Sequence, residues 1–291
     1  MGTHIHVVVP VHNRRTVTEG LILDLCRQSW RDFTLFLVDD GSTDGTADMV
    51  RTHLPGTVVL QGDGTLWWGG ALHLAYRTLC RRLHDGSSRA DDLVLILNDD
   101  TRIGPAFLEQ AATLLRPRSM LLARAFDLRT GRPSTAGVQV DWRRLQFDFQ
   151  APPEKITCFS TRGLVLRLGD FRGTGGFRPR LLPHYLSDYE FTIRAHRRGL
   201  AFQLADAFQL QVDLGTTGLH RIQAGSARDY LAKLFSKKAP ANPVYFSVFV
   251  LLCCPWRFVP RNLARLWLGA LRGLERSLRS RARPGPGRVA E

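Results

Sequence analysis

Two carboxylates stand side by side at the end of an apolar run in Leu93–Thr101, LVLILNDDT. A chain that can bury Leu93 to Leu97 must compensate Asp99 and Asp100, because adjacent like charges raise each other's cost of ionisation. Either a positive group sits against them or the pair belongs to an ordinary exposed turn. A hard divalent cation is one such group. It takes oxygen ligands, and Mg2+ is commonly held by one or two carboxylates together with substrate phosphates. Bound there, it bridges the protein to a diphosphate and neutralises charge on that diphosphate as a leaving group.

Three further stretches carry similar possibilities. In VDDGSTDGT, Val38–Thr46, helix capping accounts for Ser42, Thr43 and Asp44 without any ligand. Asp39 instead continues a buried strand and needs a hydrogen-bonding partner, which a ribose or base edge would supply, and Asp40 follows at the same strand end. In VVVPVHNRR, Pro10 cannot donate to a central ladder, so the strand stops or opens there and His12 and Asn13 fall in a loop above the sheet. In GDGTLWWGG, Trp67 and Trp68 lie between glycines. They read either as core packing at the start of a helix or as the wall of a pocket that the glycines let a ligand approach closely.

The elements that must hold these residues follow from the apolar pattern. His4–Val11, Phe33–Asp40, Thr57–Leu60 and Leu93–Asn98 read as strands, with helices near Thr16–Gln28, Thr43–His53, Gly69–Leu83 and Pro105–Leu115 between them. Near-continuous apolar strands alternating with helices predict a mainly parallel sheet covered on both faces. Such sheets bind ligands beyond the carboxyl ends of their strands, where all four aspartates fall. After residue 120 the alternation loosens into a mixed region, with strands expected at Met120–Phe126, Ala136–Val140, Leu164–Arg167 and Ala201–Leu204. A helix is expected over Ser187–Gly199.

The C-terminal part has a different character. An apolar run, Val244–Trp256, is too short to span a bilayer at about 20 residues. It precedes a basic amphipathic helix, Pro260–Leu278, and a disordered-looking tail over 281–291. Leu266, Trp267, Ala270, Leu271, Leu274 and Leu278 recur at helical spacing, with arginines on the other side, which describes an interfacial helix on anionic lipid. The expected organisation is a catalytic domain over 1–222, a helical extension over 223–280 and the tail.

The 291 residues are 44% hydrophobic and 23% charged, an ordinary globular composition, but the net charge of +14 calls for an anionic partner. Of 40 basic residues 36 are arginine. The five cysteines form no CxxC pair and read as free thiols in a reducing compartment. The N-terminus enters a strand at once, without the pattern of a signal peptide, so a cytoplasmic location is expected.

Taken together, VVVPVHNRR, LVDDGSTDGT, GDGTLWWGG, LILNDDT, GTGGF and LSDYEFTIRAHRRG resemble, in order and spacing, the family 2 glycosyltransferases, over roughly Ile5 to Leu204. The likeness is nearest to bacterial rhamnosyltransferase-like members that act in surface-polysaccharide assembly. The resemblance implies a GT-A fold, Rossmann-like, and an inverting, nucleotide-sugar-dependent transferase using Mg2+ or Mn2+. It implies nucleotide contacts at Pro10, Asn13, Asp39, Asp40, Asp63 and Asp99, and a metal ligand at Asp100. It also implies a donor or acceptor pocket at Trp67, Trp68, Gly175, Gly176 and Phe177, and an acceptor-activating base at Asp188 or Glu190. Arg194 matches the family's helix arginine, and His220 resembles a downstream metal ligand of some relatives. The acceptor implied is a carbohydrate or a lipid-linked sugar, at the inner face of the cell membrane. The sequence departs from the family pattern at Ser187, the first position of the acidic pair, and at Asn98 in the aspartate motif.

Two other classes make different demands on the sequence. A nucleic-acid-binding protein predicts basic and aromatic residues interleaved along a groove. Here the charge instead gathers at one end, with nine arginines against two glutamates over 255–291. A nucleotidyltransferase would want a glycine-rich phosphate loop after the first strand, which VHNRR is not. Neither class accounts for the acidic strand ends, and an inactive relative would not need to keep them.

Overall fold

The computed structural model describes residues 2–135, 137–213, 227–237 and 239–281. It consists of two compact units, Met1–Asp141 with Gln146–Gly218, and Trp142–Leu145 with Leu219–Glu291.

The first unit opens β1 (Ile5–Val11), α1 (Arg15–Cys26), β2 (Phe33–Asp39), α2 (Thr46–His53), β3 (Val58–Gln61), α3 (Trp67–His84) and β4 (Leu93–Ile96). It continues with β5 (Thr101–Ile103), α4 (Phe107–Leu114), β6 (Ser119–Asp127), β7 (Pro133–Thr135) and a hairpin of β8 (Gln139–Asp141) with β9 (Gln146–Asp148). It closes with β10 (Leu164–Arg167), α5 (Leu168–Thr174), α6 (Ser187–Arg197) and β11 (Ala201–Val212). The main sheet runs β3-β2-β1-β4-β10-β6-β11-β5, with β7 on β6. Its first four strands are parallel, β10 is antiparallel to both neighbours, β11 is parallel to β6 and β5 is antiparallel to β11.

Both faces of the parallel half are covered, which is why its strands read as unbroken apolar runs. Val7, Val9, Leu35, Leu37 and Leu95 pack with Leu21, Ile22 and Leu25 of α1 on one side. Val8, Phe36, Val38, Val94 and Ile96 pack with Ala71, Leu72 and Leu79 of α3 on the other. Strand alternation sends neighbouring residues to opposite layers. Each valine, leucine, isoleucine or phenylalanine among them, fully buried, contributes about 1.5–3 kcal/mol relative to exposure.

Pro10 falls where the sheet opens. β1 pairs with β2 as far as Val11 opposite Asp39, but with β4 only as far as Val8 opposite Ile96. The last bond on that side is from the Leu97 N–H to the Val8 carbonyl, and Val8 and Pro10 face the same neighbour. The proline therefore removes a donor that would have had no partner. The gap it leaves lies at the carboxyl ends of β1 and β4.

The second unit contains α7 (Ala227–Leu234), α8 (Pro243–Cys253), a 3-10 turn over Trp256–Phe258 and α9 (Val259–Arg281). The side chain of Asn242 caps α8, accepting from the N–H groups of Val244 at 2.9 Å and Tyr245 at 3.3 Å, with Pro243 in the first turn. Among the described residues no helix is long and apolar enough to cross a membrane.

Candidate active site

The carboxyl ends of β1 and β2 are tied to one another before any ligand is considered. Asn13 has a positive φ of 51°. Its N–H donates to Ser42 Oγ at 2.9 Å, and its side-chain carbonyl accepts from the Thr43 N–H at 2.8 Å. Asp39 Oδ1 accepts from the Ser42 N–H at 2.8 Å, so its own turn meets the demand that the sequence reading assigned to a ribose or base edge. Asp40 holds the next loop. Oδ1 accepts from the N–H groups of Gly64 at 2.9 Å and Leu66 at 3.2 Å, and Oδ2 from Trp67 at 3.0 Å. An anion there also faces the positive end of α3. Asp63, exposed on that loop, accepts from the Thr65 hydroxyl at 2.7 Å and N–H at 2.9 Å, which hold its carboxyl below the usual range.

The tryptophan pair divides. Trp67 adopts a positive φ of 56°, rare for a bulky residue, and packs edge-on against His184. Trp68 donates its indole N–H to Thr161 Oγ1 at 3.2 Å. The glycine after them serves the chain itself: a Cβ on Gly69 would lie 2.6 Å from the Leu182 carbonyl, and its N–H donates to Pro183 O at 2.8 Å. Gly175 and Gly176 both have positive φ. Phe177 is buried and stacked on Phe191 with centroids 4.6 Å apart, so it is core beneath the glycine loop and not a pocket wall.

Asp99 and Asp100 are buried in the turn between β4 and β5, and the positive charge against them is arginine. Arg14 Nε lies 2.9 Å from Asp99 Oδ2, an ion pair without hydrogen-bond alignment, and its NH2 is 3.9 Å from Asp100 Oδ2. Arg162, from the turn before β10, brings its NH2 to 3.9 Å from the same Asp100 oxygen. Burial pushes the Asp99 carboxyl up to about 6, with Arg14 opposing the shift and Asp100 adding to it. Sequence reading missed both arginines as site residues. Arg14 stands in VHNRR, where its type was visible; Arg162 is joined to the site only by the tertiary fold.

The two candidate bases differ in their surroundings. Glu190 is buried and paired with Arg194 through two bonds, at 2.8 and 3.0 Å, with Arg178 a further 3.6 Å away. Arg194 also donates to the carbonyls of Thr174 and Gly176, so this ion pair holds the glycine loop to α6. Asp188, in the first turn of α6, is part-exposed and enters no ion pair among the described residues. Its Oδ1 accepts from the Tyr189 N–H at 2.9 Å. Desolvation pushes its carboxyl up to about 6, against the N–H bond and the field of Arg162. Arg162 therefore acts on both Asp100 and Asp188.

Asp100 Oδ1 and Asn98 Oδ1 are buried oxygens without a hydrogen-bond partner. These are atoms of the kind a hard cation takes, and two carboxylates with substrate phosphates suffice for Mg2+. The residues present fit such an ion. Among the described residues no group of three or more His, Cys, Asp or Glu side chains gathers to hold a metal by itself. His220 lies outside the described residues.

Residues 6–118 match the model of glycosyl transferase family 2. No curated protein matches the chain. Among solved structures, Staphylococcus aureus TarS 1–349 in complex with UDP is similar with a TM-score of 0.57 and 17% identity, over 91% of this chain and 71% of that one. The chain spans about half, 49%, of the longer TarS structure. The mannosyltransferase PcManGT of Pyrobaculum calidifontis, in complex with GDP-Man and Mn2+, gives a TM-score of 0.59 at 16% identity, over 99% of this chain and 77% of that one. GalNAc-T7 with UDP, GalNAc and Mn2+ gives 0.62 at 12%, over 89% and 50%. At such identities the likeness gives the fold, which is GT-A.

Proposed function

We propose that this GT-A protein, whose residues 6–118 carry the glycosyl transferase family 2 pattern, moves a sugar from a nucleotide-diphosphate donor to an acceptor hydroxyl with inversion. The observation that carries the reading is two kinds of carboxylate linked by Arg162: Asp99 and Asp100 balanced by Arg14 and Arg162, and Asp188, in no ion pair among the described residues, with its carboxyl raised to about 6. A base with a pKa somewhat below neutral is ionised at working pH and still takes a proton readily.

In this reading Asp188 removes the acceptor proton as the hydroxyl oxygen bonds to the anomeric carbon, and the bond from that carbon to the diphosphate breaks on the opposite face. Glu190 positions the glycine loop through Arg194. Arg14 and Arg162 supply donors for the charge that develops on the diphosphate. Asp100, with diphosphate oxygens, would hold Mg2+ or Mn2+, which when bound supplies further charge neutralisation to the leaving group. Pro10, Asn13, Asp39 and Asp63 line the nucleotide side, with Asp40 shaping it from beneath. Gly175 and Gly176 flank the sugar. The acceptor is assigned as a carbohydrate or lipid-linked sugar of a cell-surface polysaccharide or glycolipid, met at the inner face of a bacterial membrane.

A thermal-shift screen of UDP-, dTDP- and GDP-sugars with Mg2+ or Mn2+ tests this. A ligand at 100 times its Kd stabilises by about 2.7 kcal/mol, and one donor class should do so in a metal-dependent way. No shift with any of them would overturn the reading.

A further inference from the structure

Of the twelve exposed large hydrophobic side chains among the described residues, nine belong to residues 227–281. Successive helix positions are separated by about 100°, and on α9 this divides the apolar residues into two strips. Leu263, Leu266, Ala270 and Leu274 are part-buried, and Tyr230 of α7 donates its hydroxyl proton to the Ala270 carbonyl at 3.3 Å. That strip is used in packing. The second strip, Trp267, Leu268, Leu271 and Leu278, is exposed, with Leu271 at 60%. Beside it run Arg261, Arg272 and Arg276, and Glu275 is the one acid of α9.

The exposed strip does not stop at α9. Trp267 donates its indole N–H to Ser247 Oγ on α8 at 3.2 Å. Ser247 lies three residues after Val244 and four before Leu251, so all three share one face of α8. Val244 and Leu251 are exposed, Leu251 at 62%. In the turn joining the two helices Trp256 is 86% exposed, and Arg257 stacks over the Phe258 ring at 4.8 Å.

We propose that this face of α8, the Trp256 turn and α9 is a docking surface for an anionic lipid bilayer, lying in the interface with the leucines and tryptophans in the acyl boundary and the arginines at the headgroups. Neither helix can cross, because α8 is too short and α9 carries arginine along its length. What selects lipid is charge: the sequence over 255–291 carries nine arginines against two glutamates, and Arg261, Arg272 and Arg276 run beside an apolar strip with two exposed tryptophans, the side chains that favour the headgroup level. The inference extends the proposed function by naming the surface that brings the enzyme to a membrane acceptor, but binding to vesicles needs neither donor nor turnover.

The full chain should float with vesicles of phosphatidylcholine mixed with phosphatidylglycerol and not with phosphatidylcholine alone. Its tryptophan emission should be quenched by brominated lipid. Trp256→Ser with Leu271→Ser should abolish flotation. Arg272→Gln with Arg276→Gln should weaken it about fivefold per arginine, the effect of one basic residue near a charged leaflet. All four side chains are exposed, and an unchanged melting temperature would show that each variant is folded. Equal recovery with both vesicle types, flotation that survives the apolar substitutions, or no flotation would each overturn the proposal. So would self-association by sedimentation velocity that the apolar substitutions remove, since a second copy would then cover the face. Flotation without any donor-induced thermal shift would uphold this surface and reject the transferase reading instead.

Discussion

Asp188→Asn and Glu190→Gln should fail in different ways, because the two carboxylates sit only two residues apart yet have different partners. Glu190 is buried with two short bonds to an Arg194 that is itself largely buried. Removing one charge of such a pair strands the other, at a cost of about 3–5 kcal/mol. For a folded unit of this size 1 kcal/mol moves Tm by about 2–4 °C, so Glu190→Gln should lower Tm by about 6–20 °C. It should also loosen the glycine loop that Arg194 holds. Asp188 has no such partner among the described residues, and its raised carboxyl means that ionising it costs the fold. The sign follows. Its contribution to stability is present below the unfolded pKa near 4 and is lost as pH rises through about 6. Asp188→Asn should therefore melt no lower than the parent at pH 7, and its Tm relative to the parent should rise between pH 4 and pH 7. Its turnover should drop by about 10²–10⁴-fold, with nucleoside diphosphate binding kept. Differential scanning fluorimetry across pH, with single-turnover transfer once the donor is known, reads both. A stable Glu190→Gln with the larger rate loss would refute this assignment.

Three other outcomes are expected. Asp100→Asn should abolish transfer and weaken metal-dependent nucleoside diphosphate binding by calorimetry with the fold intact; a variant that turns over normally, or a parent indifferent to EDTA, would remove the cation from this site. Arg162→Gln should weaken nucleoside diphosphate binding and move the acid limb of kcat upward, because its field opposes the raised carboxyl of Asp188; an unmoved pH profile would limit Arg162 to packing. In the parent, kcat should fall with protonation below about pH 6, and a profile flat to pH 5 would argue against Asp188 as the base.

The parallel half of the sheet was legible because both its faces are covered, so β1, β2 and β4 announce themselves as apolar runs, the last two leading into acid. The other half was not. β11 runs for twelve residues, Ala201–Val212, yet polar Gln203, Asp206 and Gln209 interrupt it and its register shifts between Leu204 and Gln209, so only its first four residues read as strand. β5 is three residues long and has no pattern of its own. The pair Glu190–Arg194 was visible as a one-turn spacing worth a few tenths of a kcal/mol on an open helix. Burial, which sequence does not report, raises the cost of breaking it about tenfold.

The acidic strand ends show the same boundary most clearly. That a positive group must stand against Asp99 and Asp100 followed from repulsion alone; which group it is did not. Arg14 reaches them because the opening at Pro10 lets the loop after β1 lie beside the end of β4, and Arg162 because β10 runs antiparallel and so begins where β4 ends. A cation and a diphosphate arriving there meet carboxylates already balanced by guanidinium. Asp100 Oδ1, buried and without a hydrogen-bond partner, is the atom left to gain from a metal, while Arg14 and Arg162 gain from phosphate. On the proposed reading donor and metal should bind best together, since each offers a new partner to charges that the other disturbs.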